Sequence, residues 1–335
     1  MRVAVLKCIL FIVLPVFILH QLCATTVISS PSSAIQDEVI ANATMAAMGG
    51  TSLGALGHAD LSAIHPAGVT TLSSGGITLN HFQWMGDIEY NALSAGLHMG
   101  KYGVFGIFYR RANEGKIYVP YVPIPRGRWG EPVTVNASLH DASIMYGRKV
   151  LPAFAVGAQL QYFWIAPKSW YRYSRYSNKT LDNMALSVGT LFNPDWNDFT
   201  AAMSYRYIPF TSDYSHSTGK ITHRLQASAG IDLVQLIGLD QYWPHTSLYA
   251  AGDWIHHQEY NNDRRLGIEY GYRDIVFLRA GYYFENGSST RANWSRGVGL
   301  HIPIFGMHLH LDYAFRDLVV TDPIHWYSEI GRAHV

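Results

Sequence analysis

Two stretches of this sequence carry the donor types that a metal ion or a proton relay needs. The first is Asp253-Trp254-Ile255-His256-His257 with Glu259 close behind. The second is the row His308, His310 and Asp312, spaced i, i+2, i+4. Zinc and its relatives take imidazole and carboxylate ligands that converge on one point. On a strand, consecutive side chains point to opposite faces, so His256 and His257 cannot ligate one ion without a bulge. His308, His310 and Asp312 do share a face, but the same row is what a hydrated wall would show. No metal site and no cofactor is therefore expected. Gly-x-Ser-x-Gly, Walker-type, His-Glu-x-x-His and dinucleotide motifs are all missing from the sequence. No Ser–His pair assembles on one face either, and the reading is non-enzymatic.

The elements that would position these residues are strands. From Met307 to Arg316, one face carries Met307, Leu309, Leu311, Tyr313 and Phe315. The other carries His308, His310, Asp312, Ala314 and Arg316. Arg224 to Leu233, Arg265 to Tyr272 and Phe154 to Trp164 divide in the same way. Such segments recur at 76–84, 89–99, 103–112, 138–149, 153–166, 180–193, 199–209, 221–235, 246–258, 263–273, 275–285, 290–303, 307–316 and 323–328. They run to roughly ten residues, the length of a tilted membrane strand, against five or six in soluble sheets.

Composition points the same way. Charged residues make up 15% of the chain, against about 25% in an ordinary soluble domain. Tyr 22, Trp 9 and Phe 14 are abundant and cluster at segment ends, as in Tyr162-Phe163-Trp164 and Tyr282-Tyr283-Phe284. Past the first 24 residues, no run reaches the ~18 apolar residues of a membrane helix. The expected fold is all-β: a 14-stranded antiparallel transmembrane β-barrel over 76–328, preceded by an N-terminal hatch or plug over 25–75. A soluble exported sandwich is the rival class. A net charge of +1 without a basic cluster gives no reason to invoke nucleic acid.

Arg2, Lys7, the apolar run Cys8 to Leu19 and the small residue Ala24 read as a cleaved secretory signal over 1–24. Both cysteines, Cys8 and Cys23, fall inside it, so an exported product would need closure by something other than disulfides. Short turns at Gly100 to Gly103, Leu151-Pro152 and Arg273-Asp274 are expected to alternate with long loops at 113–137, 167–179, 210–220 and 236–245. The inner face collects Arg224, Asp232, Asp253, Arg265, Glu269, Arg279, Glu285, His308, His310, Asp312 and Arg316. Their mixed signs predict an ion-paired lumen network, not a single-sign selectivity ring. The last seven residues, 329–335, read as adapter-derived and non-native, so the final strand is expected to be cut short near Ser328.

Met48-Gly49-Gly50-Thr51, then Gly57 to Gly68 with Asp60, His65, Pro66, Ala67 and Gly68, resembles the N-terminal signature of the PorV/PorQ and FadL-like outer-membrane proteins. Gly267-Ile268-Glu269-Tyr270, Leu278 to Tyr282 and Leu311 to Ala314 continue the resemblance at the far end. Ala59 and His65 depart from it, His65 standing where the family has Asn. The resemblance implies a hatch that enters the lumen, and two roles. One is a PorV-like scaffold that handles exported cargo proteins in a type IX-like secretion complex. The other is a FadL-like conduit for a hydrophobic or amphipathic small molecule. Outer-membrane lipid is the expected surrounding in either case.

Overall fold

The computed structural model describes residues 42–56, 64–84, 88–119, 122–124, 128–130, 133–166, 183–194, 196–210, 223–257, 262–284, 294–304, 307–317 and 323–333. The signal segment, Asp60, Glu259 and Glu285 lie outside them.

Fourteen antiparallel strands close on themselves. They are β1 (Gly75–Trp84), β2 (Ile88–His98), β3 (Val104–Val119), β4 (Val133–Leu151), β5 (Phe154–Ala166), β6 (Asn183–Phe192) and β7 (Thr200–Pro209). There follow β8 (Arg224–Asp232), β9 (Thr246–His257), β10 (Asp263–Tyr272), β11 (Val276–Phe284), β12 (Trp294–Ile304), β13 (Met307–Arg316) and β14 (Ile324–Ala333). Each pairs with its neighbours in sequence, and β1 pairs with β14. A short ribbon, Val122–Ile124 with Arg128–Gly130, sits beyond β3.

The parity of a soluble sheet is inverted. Ile77 is 55% exposed while its neighbour Thr78 is fully buried. Leu79, Leu93, Ile107, Ile144, Leu266, Leu278 and Leu311 also face outward. Ser94, Gln159, Gln161, Ser187, Ser204 and Gln226 face inward and are buried. Apolar side chains outside and polar ones inside fit a wall whose outer solvent is lipid.

Four expectations need adjustment. The stretch 113–137 is largely strand, because β3 and β4 stay paired as far as Val119 opposite Val133, past an irregularity at Asn113. The strand expected over 221–235 ends at Asp232, which caps a helical turn, α2 (Leu233–Leu236), by accepting from the Gln235 backbone N–H at 3.0 Å. The connection 236–245 does not alternate with the short turns. It lies on their rim, between β8 and β9. Finally, β14 does not stop at Ser328 but pairs on both sides as far as Ala333. Ile330 keeps the inward parity and is fully buried. Glu329 faces outward between Leu79 and Leu311.

Candidate functional site

Within the barrel sits the N-terminal segment. Its first element is α1 (Ala43–Ala47), capped by Asn42, whose side chain accepts from the Met45 N–H at 3.0 Å. The chain leaves α1 through Gly49 and Gly50, at φ +69° and +85°. That left-handed geometry suits glycine and little else. Two 3-10 turns follow, Ser52–Ala55 and Pro66–Thr71. Pro66 opens the second with its fixed φ and no orphaned N–H.

These pieces touch much of the bore. α1 lies against β11 to β14, Ser52–Ala55 against β8 and β9, and Pro66–Thr71 against β3 to β6. Two kinds of feature hold them there. The first is a set of inward glycines that let backbone approach backbone. A Cβ on Gly267 would stand 2.5 Å from Met48 O, and one on Gly147 2.6 Å from Thr70 Cγ2. One on Gly281 would overlap Gly49 itself. The second is polar tethers from the wall. Ser328 Oγ accepts from Ala43 N at 2.8 Å, and Ser295 Oγ accepts from Gly49 N at 2.9 Å. Asp253 accepts from Ser52 N at 2.8 Å, Ser52 Oγ meets Ser228 Oγ at 2.8 Å, and Arg265 donates to Gly50 O at 2.9 Å. Each contributes about 0.5–1.5 kcal/mol net, more where charged.

Apolar packing completes the plug. Met45 and Ala46 join a cluster with Phe82, Tyr90, Ile324 and Trp326. Phe82 stacks on Tyr90 with centroids 4.6 Å apart. Val69 and Leu72 pack on Val104, and Ala67 packs on Ala155 and Leu191.

His65 is 1% exposed, and its ring lies against Gly189. Burial lowers its pKa from 6.5 to about 4; the Arg206 charge pushes the same way and the Met203 backbone partly opposes. The imidazole is thus held neutral in the docked hatch.

Among the described residues, the lumen residues expected from parity divide by role. Arg279 bridges Glu269 at 2.5 Å and Asp312 at 2.6 Å in a triad of two buried residues and a half-buried Glu269. Asp253 and Arg265 hold the hatch, and Asp232 caps α2. Arg224 lies over the Tyr207 ring and Arg316 over that of Tyr283. His310 lies against His301, with centroids 3.6 Å apart and rings tilted by 33°, and His308 lines the space below the hatch. His256 and His257 point to opposite sides: the first meets Asn262 at 2.7 Å, the second Asp263 at 2.9 Å. Sequence reading missed the buried pair Arg110–Asp141, at 3.2 Å, and the serine tethers. The inward parity of Arg110, Asp141, Ser295 and Ser328 was the available signal.

Below the hatch, on the short-turn side, lies a cavity of about 550 Å³. Met48, Leu53 and Leu56 line it from above and Phe277 from the wall. Asp198, Asp232, Glu269, Asp274 and His308 supply the polar part.

No protein-family model matches this chain, and no curated protein matches it. Solved structures do. One is described as the CymD monoaromatic hydrocarbon channel: 12% identical, covering 89% of this chain and 99% of that one, with a TM-score of 0.52. The Pseudomonas putida toluene transporter TodX is 11% identical over 92% and 98%, at 0.49. A Pseudomonas aeruginosa FadL homologue is 11% identical over 87% and 97%, at 0.48. The first of these shows the shared fold.

Proposed function

We propose that this protein is a passive outer-membrane conduit for hydrophobic or amphipathic small molecules, gated by its N-terminal hatch. The observation that carries this reading is the form of the plug. Its described residues touch much of the bore, yet they are tethered by serine, carboxylate and arginine contacts and seated on glycines, without a strand in the wall. Such a segment can shift while the barrel stays closed. The half-apolar cavity beneath it offers a place for a molecule of modest size to pause. The fold shared with a monoaromatic hydrocarbon channel supports the same reading. The rival role implied by the PorV/PorQ resemblance, a scaffold for exported cargo, has its support in the motif residues Met48 to Thr51 and Pro66 to Gly68.

Vesicles containing the full chain test the proposal. Entry of toluene should exceed that into empty vesicles, and removal of residues 42–72 should raise the entry of sugars of similar size. Equal toluene entry with and without the protein would overturn the conduit. Capture of exported proteins by such an inert barrel would favour the scaffold.

A further inference from the structure

Among the described residues, the outer wall carries few cations, and their placement is uneven. Arg264 on β10, Arg296 on β12 and Arg111 on β3 face outward and are exposed. Arg264 stands eight residues before Tyr272, and Arg296 eight before Ile304, the short-turn ends of their strands. Arg111 stands seven residues after Val104. At ~3.3 Å per residue and a tilt near 40°, all three lie roughly 20 Å above the short-turn rim. That is near the top of an apolar band ~25 Å tall, where headgroups begin. At mid-bilayer an outward arginine costs about 2–4 kcal/mol, but close to the interface about 0–1.

Among the described residues, none of the three meets a carboxylate within ion-pair distance. The guanidinium of Arg296 lies over Phe315, 5.3 Å from its centroid. Phe315 is the cross-strand partner of both Arg296 and His325. His325 is eight residues before Ala333 and so at the same height. Its ring is fixed by Tyr313 Oη, 2.8 Å from Nδ1. Tyr282 and Phe284 on the intervening β11 pack edge to face, and Tyr282 does the same with Trp294 on β12. Trp294 is 68% exposed. This sector thus presents cations on an aromatic shelf, level with a headgroup layer.

We propose that the outer face of β10 to β14 binds a phosphorylated glycolipid of the outer leaflet, with phosphates held by Arg264 and Arg296. The inference rests on the membrane-spanning reading above. Arginine engages phosphate through two parallel N–H donors, a geometry lysine lacks. The register sets Arg264 opposite Phe284 and Arg296 opposite Ala280. Their Cα atoms are therefore two strands apart and four residues offset, roughly 16 Å. Two such side chains turned toward one another span a bisphosphorylated disaccharide, whereas a single phosphodiester reaches only one of them. Tyr282 and Tyr313, each six residues from the short-turn end of its strand, lie just below the arginines and receive the first methylenes of the acyl chains.

The test uses the full chain folded into phosphatidylcholine bilayers, with folding checked by heat-dependent gel mobility. Bisphosphorylated lipid A, the same lipid stripped of both phosphates, and phosphatidylglycerol at matched charge are added separately. Lipid retained through native mass spectrometry is the readout. Bisphosphorylated lipid A should be retained at least tenfold better than the other two. The double variant Arg264→Gln/Arg296→Gln should lose that margin, and Arg148→Gln on the opposite rim should keep it. Arg264→Lys/Arg296→Lys, which preserves charge, should fall between. Equal retention of phosphatidylglycerol, or an unchanged margin in the Gln and Lys double variants, would overturn the proposal while leaving the barrel reading intact. Failure of the parent chain to insert would overturn both.

Discussion

Replacing Gly267 by alanine probes the seat of the hatch with a single methyl group. That group would lie 2.5 Å from Met48 O and 2.6 Å from Met48 Cβ, where carbon contacts settle at about 3.5–4.0 Å. Overpacking of this kind costs about 1–3 kcal/mol. Nearby, Arg265 to Gly50 O and Ser295 to Gly49 N together contribute roughly 2–4 kcal/mol. The methyl group therefore consumes a large part of what holds this end of the hatch, while the wall, with its ladder intact, stays closed. Opening free energy lowered by 1–3 kcal/mol means about 5- to 150-fold faster amide exchange in 42–56. Hydrogen exchange followed by mass spectrometry reads this directly. Gly331→Ala is the control, since a Cβ there meets nothing within 4 Å. Unchanged exchange in Gly267→Ala, or an equal rise in Gly331→Ala, would refute the view that inward glycines seat the hatch.

Acid should loosen the other end. His65 has a folded pKa of about 4 against an ordinary 6.5, so protons bind the undocked state first. Docking is at full strength above pH 6.5 and weakens as pH falls toward 4, by about 3 kcal/mol in all; exchange in 64–72 measured against pH checks this, and a matching profile in His65→Asn would contradict it. Arg279→Met leaves buried Asp312 and half-buried Glu269 without their shared cation and should cost about 3–5 kcal/mol in urea unfolding; a loss under 1 kcal/mol would count against the triad. Leu311→Arg should lower barrel stability by about 2–4 kcal/mol because it faces lipid, whereas Glu329→Leu, one strand over on the same face, should raise it; unfolding midpoints with the opposite order would reverse the inside–outside assignment.

Much of the wall was legible because parity is a strict code: Leu311 out and Asp312 in follow from a period of two. Strand ends were less so. Asp232 reads as one more inward residue until its carboxylate is seen capping α2, a local hydrogen bond that competes with the ladder. The sequence set the segment 25–75 apart from the strands, but the wall partners of its described residues were not legible. Nothing local links Ser52 to Ser228 and Asp253, or Gly49 to Ser295, because closure of the barrel brings them together. Of the charged lumen residues expected by face, Glu269, Arg279 and Asp312 meet one another as their mixed signs suggested. The cross-strand register decides which of them meet.

The central claim, that the hatch governs passage, is tested most directly by locking it. The only cysteines of the chain are Cys8 and Cys23, and Ser52 Oγ lies 2.8 Å from Ser228 Oγ on the wall. Ser52→Cys/Ser228→Cys can therefore fasten the hatch to β8 with a disulfide that a reductant reverses. Toluene entry into vesicles should fall to the protein-free rate when the pair is oxidised and return on reduction. Equal entry in both states would contradict the account.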